Sequence, residues 1–174
     1  MKFLPNALSV LRILLAPLTC WLIWTGSFQN ASLVIVAAAL TDGLDGFLAR
    51  KLGVQSRTGE VLDPIADKIF AGSAFLTLTL HHHIEAWVAA IILGRDLTIL
   101  TVAGAVLVSA DTPRRFPPSI MGKASTAVQC AYGLSLMGTL GHAVPEVITE
   151  VFKGATVVIT IWSGIDYAKR VTLE

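Results

Sequence analysis

Six apolar stretches, near residues 7–25, 31–50, 61–80, 84–108, 119–140 and 147–168, each approach the roughly 20 residues that a helix needs to cross a bilayer. Turn formers separate them: Thr25-Gly26-Ser27 with Asn30, Gly53 to Gly59, His81 to His83, Thr112 to Pro118, and Gly141 to Pro145. The pattern predicts an all-α fold, a polytopic membrane protein with six transmembrane helices. Composition agrees, because only 14% of the chain is charged, against about 25% in a soluble domain. No linker, low-complexity tract or internal repeat divides the sequence, so one domain over residues 1–174 is expected. Arg12 interrupts the first apolar run and no small-residue cleavage site follows it, so this segment reads as a retained span rather than a signal peptide.

A net charge of +1 argues against a nucleic-acid partner, which would demand a broad basic surface. The basic residues are instead distributed by side. Lys2 and Arg12, then Arg50, Lys51 and Arg57, then Arg114, Arg115 and Lys123, and finally Lys169 and Arg170 mark one side of the membrane. The loops around residues 26–30, 81–85 and 141–146 carry no Lys or Arg. Cytoplasmic loops collect positive charge, so both termini are expected in the cytoplasm. Trp21, Trp24 and Trp87 then fall near outer ends, as interfacial aromatics do. Lys153 is the exception, expected at the outer end of the sixth span, near Glu146 and Glu150 and snorkelling to the interface. Cys20 and Cys130 lie in apolar runs and read as small hydrophobes, with neither a disulfide nor a metal.

Ionisable residues inside membrane spans are costly to desolvate and are functional candidates by default. Here they concentrate in Asp42-Gly43-Leu44-Asp45-Gly46-Phe47-Leu48-Ala49-Arg50, followed by Gly59, Asp63 and Asp67. On helices, Asp42 and Asp45 share one face and Asp63 and Asp67 share another. Four carboxylates at one depth repel unless protons or cations compensate them, and oxygen-only donors favour Mg²⁺ or Mn²⁺ over zinc. Two such cations can stabilise attacking and leaving oxygens together in phosphoryl transfer. Gly46 and Ala49 leave room for a base or diphosphate near the backbone, and Arg50 and Arg57 stand at that edge for phosphate oxygens. A competing structural role exists for one residue only: Asp63 before Pro64 reads as a helix N-cap.

The string Asp-x-x-Asp-Gly-x-x-Ala-Arg, eight residues, Gly, three residues, Asp, three residues, Asp resembles the signature of the CDP-alcohol phosphatidyltransferases, and every fixed position is filled. Eight fixed residues at set spacing would arise by chance about once in 10¹⁰ start positions at equal residue usage. The resemblance extends to Pro5-Asn6, Ser9 and Arg12, to Arg95-Asp96, and to Gly122-Lys123 with Thr126 and Gln129, and so covers nearly the whole chain. It implies six spans around a polar cavity on the cytoplasmic side, a homodimer, and a bacterial inner-membrane location. It also implies that Asp42, Asp45, Asp63 and Asp67 ligate two divalent cations, with Asp67 as base for the acceptor hydroxyl. Asn6, Gly46, Ala49 and Arg50 would help hold the CDP portion, and Gly59 would set the loop before the third span. The implied reaction transfers a phosphatidyl group from CDP-diacylglycerol to an alcohol, with CMP leaving and no covalent enzyme intermediate.

The acceptor is not fixed by the shared motif. Arg95, Arg114, Arg115 and Lys123 suggest an acceptor that carries a phosphate; for the last three, contact with membrane-lipid headgroups is the plainer alternative. Glycerol 3-phosphate would make the chain similar to phosphatidylglycerophosphate synthases, and phosphatidylglycerol would make it similar to cardiolipin synthases of the same fold. Arg95-Asp96 looks more like the latter, since the former commonly show Arg-Glu there. Inositol phosphate stays open. Outside enzymes, a divalent-cation transporter could also set carboxylates in helices. His81, His82 and His83 read as an outer loop, because consecutive residues do not converge as i, i+4 ligands do. Asp166 and Tyr167 fit the cavity or the cytoplasmic helix end equally well.

Overall fold

The computed structural model describes the backbone of residues 4–52, 57–108 and 120–173, and the side chains of residues 10–40, 65–101 and 121–169. Among the described residues every regular element is a helix: α1 (Leu4–Trp24), α2 (Phe28–Leu52), α3 (Arg57–Leu80), α4 (Ala86–Val108), α5 (Ile120–Leu140) and α6 (Glu146–Leu173). Each expected span falls for most of its length on one helix. The helices run past the apolar stretches at several ends, because helical hydrogen bonding continues through polar residues once a turn exists. Asn30 therefore lies inside α2, and Gly59 lies in the first turn of α3 rather than in the loop before it. Asp63 is six residues inside α3, so the N-cap reading of that residue does not hold.

The chain forms two units, Met1–Ile84 and Glu85–Glu174. In the first, α1 packs on α2 and on α3. Ala16 of α1, Ala38 of α2 and Phe70 of α3 form a buried cluster with Leu15 and Ile35 packed against it, and Ala66 of α3 is also buried. In the second unit α6 packs on α5 and α4. The contact is lined by hydroxyls. Ser125 and Thr160 meet at 3.2 Å, Gln129 donates from Nε2 to both, and Thr139 and Thr149 meet at 2.7 Å.

Thr149, Thr156, Thr160 and Ser163 are all buried. At 100° per residue they occupy about 60° of arc on α6. The opposite face presents Val147, Val151, Val158, Trp162 and Ile165, all exposed. Exposed Leu14, Leu33, Leu40 and Leu97 with buried Arg12, Asp96, Ser125 and Gln129 repeat this inversion along the chain. Apolar outside and hydrogen-bonded polar inside is the distribution expected where the surrounding solvent is hydrocarbon. Among the described residues, α6 over Glu146–Lys169 is long and apolar enough to cross a membrane, with mean hydropathy 1.3, and Val10–Trp24 and Phe28–Leu40 are shorter apolar stretches.

Helices α1, α3 and α5 end in the same way. Gly26, His82 and His142 take left-handed φ values of 73°, 59° and 58°. The amide of the following residue reaches back to the carbonyl of Leu22, Leu78 or Gly138, closing a Schellman motif each time. The first of these turns passes the chain directly onward, because the Ser27 carbonyl accepts from Ala31 and opens α2. In the last, Val144 folds back on Gly138: a Cβ there would lie 2.5 Å from Val144 Cγ2, whereas a Cβ at Gly154 meets nothing within 4 Å. Gly138→Ala is therefore expected to destabilise by about 1–3 kcal/mol through overpacking. Gly154→Ala should instead stabilise by up to about 1 kcal/mol through helix propensity. Thermal unfolding of both variants in detergent micelles checks the opposite signs.

The α3 turn seats its imidazoles against aromatic rings. His81 packs edge-on to Trp24 at 4.4 Å between centroids, and His83 edge-on to Phe28 at 5.3 Å. Burial pushes the His83 imidazole below its ordinary pKa, with neighbouring His81 and His82 adding to the effect. In the second unit, Lys153 does more than snorkel. Its Nζ donates to Glu150 at 2.7 Å and to Glu85, just before α4, at 3.0 Å.

Candidate active site

The four motif aspartates fall where helical spacing puts each pair on one face: Asp42 and Asp45 on α2, Asp63 and Asp67 on α3. The side chains of Asp42, Asp45 and Asp63 lie outside the described set, and Asp67 is the member whose surroundings are visible. Its Oδ1 accepts a charge-assisted hydrogen bond from Arg12 Nη1 of α1. The two partners differ in setting. The Arg12 side chain is 6% exposed and that of Asp67 is 47% exposed, so the guanidinium holds the carboxylate from its buried side while the carboxylate keeps an open side.

That arrangement bears on the cation requirement. An anionic, half-open oxygen donor, on one helical face with Asp63, is the type of ligand that a hard divalent cation takes. Among the described residues no three His, Cys, Asp or Glu side chains form a metal site by themselves. Asp67 is the one motif carboxylate whose described setting fits that chemistry.

Of the expected donor-nucleotide residues, Asn6 lies in the first turn of α1, Gly46, Ala49 and Arg50 near the end of α2, and Arg57 and Gly59 at the start of α3. Their side chains are outside the described set, and Arg114 and Arg115 lie outside the described residues altogether. Lys123 is in the first turn of α5 and is exposed. Arg95 lies on α4 with its side chain 7% exposed. Its Nη1 donates to Asp96 at 2.8 Å and its Nη2 to Ser163 of α6 at 2.7 Å, while Nε is buried without a partner.

Two partnerships escaped the sequence reading. Arg12 was legible as a charge that interrupts an apolar run, but Asp67 is 55 residues away and no local spacing reveals the pair. Ser163 likewise meets Arg95 across 68 residues. The buried hydroxyl face of α6 did leave a signal, since Thr149, Thr156, Thr160 and Ser163 recur at helical intervals.

The described residues thus form helices and the turns that join them, with a buried arginine of α1 on one motif aspartate of α3. Comparison with known proteins gives the family. The model of the CDP-alcohol phosphatidyltransferases matches residues 2–162, and the chain belongs to that family, whose enzymes act in phospholipid biosynthesis, are membrane-associated and depend on divalent cations. The chain is 31% identical to a CDP-diacylglycerol–glycerol-3-phosphate 3-phosphatidyltransferase of Aquifex aeolicus, covering 95% of this chain and 94% of that one. It is 33% identical to a probable phosphatidylglycerophosphate synthase of Mycobacterium tuberculosis, over 96% of this chain and 80% of the relative. A CMP-forming cardiolipin synthase of Streptomyces coelicolor is 30% identical over 97% of this chain and 82% of its own.

Proposed function

We propose that this enzyme transfers the phosphatidyl group of CDP-diacylglycerol to glycerol 3-phosphate and releases CMP. The observation that carries the choice of acceptor is the similarity, over nearly the full length of both chains, to the A. aeolicus relative, whose name states that acceptor.

In this reading the acceptor hydroxyl gives its proton to the Asp67 carboxylate, and the hydroxyl oxygen attacks the phosphorus that carries diacylglycerol. The bond from that phosphorus to CMP breaks, and CMP leaves with the bonding pair. Asp42, Asp45, Asp63 and Asp67 hold two divalent cations, Mg²⁺ or Mn²⁺, which when bound supply the positive charge that the diphosphate and the carboxylates demand. Asn6, Gly46, Ala49, Arg50, Arg57 and Gly59 hold the CDP portion of the donor. Arg95, Arg114, Arg115 and Lys123 take the acceptor phosphate, and for Arg95 the buried, unpartnered Nε is the donor still able to receive a phosphate oxygen.

The chain acts as one catalytic domain over residues 1–174, set among membrane lipids with six spans, as a homodimer. Both termini and the active site face the cytoplasm, in a bacterial inner membrane. The inverted polarity of the helices and the one-sided distribution of Lys and Arg support the spans and their orientation.

A second reading takes phosphatidylglycerol as acceptor, favoured by the S. coelicolor relative and by Arg95-Asp96. Purified enzyme given labelled CDP-diacylglycerol with glycerol 3-phosphate, phosphatidylglycerol or inositol phosphate in turn separates these. The expected product is phosphatidylglycerophosphate, with stoichiometric CMP. Cardiolipin as the sole product would replace the first reading by the second. Metal flux through proteoliposomes without CMP release would overturn both in favour of a cation transporter.

A further inference from the structure

We infer that Arg12 is a positioning residue for this reaction: from α1 it grips one oxygen of Asp67 and sets the direction in which the carboxylate presents the other. The inference rests on the reading of Asp67 as metal ligand and base. Arg12 is the sole charged side chain among residues 10–40, and it is buried. A guanidinium in such a place costs much to desolvate, and a buried ion pair returns little net stability over apolar residues of the same volume. Stability alone therefore gives a weak reason for an arginine here. Geometry gives a stronger one. Arg12 Nη1 binds Oδ1, so Oδ2 is the oxygen left for a cation or for the acceptor hydroxyl.

The backbone prepares this grip. Helix α3 packs on α1, and Ala66 beside Asp67 and Ala16 one turn beyond Arg12 are both buried. A long side chain on α1 can then reach the root of the α3 carboxylate. Arginine suits the task better than lysine. Its planar fork is rigid, and it keeps its proton at every working pH, so it never competes with Asp67 as acid or base.

The test uses the full-length enzyme in nanodiscs, with Arg12→Lys, Arg12→Gln, Asp67→Asn and the Arg12→Gln/Asp67→Asn double variant. Mn²⁺ alone is the binding probe, read by electron paramagnetic resonance, and CMP release is read separately. Arg12→Gln is expected to weaken Mn²⁺ binding and to lower kcat by about 10–100-fold each, as for other residues that orient metal ligands. At saturating Mn²⁺ the KM for CDP-diacylglycerol should stay within about 3-fold, since the contact at issue is with Asp67 and not with the donor. Arg12→Lys, which keeps the charge and loses the fork, should fall between wild type and Arg12→Gln. In the Asp67→Asn background, adding Arg12→Gln should weaken Mn²⁺ binding by clearly less than it does in the wild-type background.

An equal Mn²⁺ loss from Arg12→Gln in both backgrounds would overturn the inference, as would an Arg12→Gln enzyme with wild-type kcat. If Arg12→Gln does not fold, Arg12→Lys carries the comparison, and wild-type kcat and Mn²⁺ affinity in that variant would overturn it. Wild-type protein that releases no CMP with any acceptor would sink the functional reading instead, and the Mn²⁺ coupling between Arg12 and Asp67 would still decide this one.

Discussion

Asp67→Asn is expected to lower CMP release by about 10²–10⁴-fold, the range for losing a general base, and to leave a folded, membrane-inserted enzyme. Asn is nearly isosteric with Asp, and its amide oxygen can still accept from Arg12 Nη1, so the contact between α1 and α3 survives as a hydrogen bond to a cation. The stability cost should stay near about 1–2 kcal/mol, because the aspartate is half-exposed and one acceptor remains. The amide cannot take a proton from the acceptor and ligates a cation weakly. Turnover and fold should therefore separate in a single variant, with CMP release measured beside size-exclusion behaviour and thermal unfolding. An Asp67→Asn enzyme with near-wild-type turnover would remove Asp67 from the role of base.

The second large effect is on stability and lies in the other unit. Arg95 and Asp96 are 7% and 11% exposed at their side chains and meet at 2.8 Å. Asp96→Ala leaves a buried guanidinium whose remaining partner among the described residues is the Ser163 hydroxyl at Nη2. Removing one member of a buried pair costs about 3–5 kcal/mol, since the remaining charge is desolvated without compensation. At roughly 2–4 °C per kcal/mol for a chain of this size, the thermal midpoint should drop by about 6 °C or more. Ser163→Ala removes a neutral partner and should cost nearer about 1 kcal/mol. Unfolding of Asp96→Ala within about 2 °C of wild type would show that the pair contributes far less than this.

How far the sequence could be read follows from the range of the forces involved. The helices were legible because run length and turn residues are local. The C-terminal end of α3 followed from His81 to His83, but its start did not: Arg57 to Glu60 is polar and has no apolar signal, yet the helix runs through it. That early start is what moved Asp63 from a cap to an interior position. The motif aspartates were legible because three- and four-residue spacings translate directly into shared helix faces. Arg12 with Asp67 and Arg95 with Ser163 are tertiary pairings, fixed by how helices lie against each other, and a single sequence holds no trace of them. Lys153 shows both cases in one residue. Glu150 at i−3 was foreseeable, while Glu85 was not.

The one-sided hydroxyls of α6 fix more than its contact with α5. Rolling this helix by a single residue, about 100°, would withdraw Thr156 and Thr160 from their partners and aim Val157 and Ile161 at the space they leave. Each displaced hydroxyl would lose its partner on α5 and keep at most a carbonyl of its own helix. The helix is keyed like a shaft with a slot along one edge. Turning α6 about its own axis is opposed at each hydroxyl that meets α5.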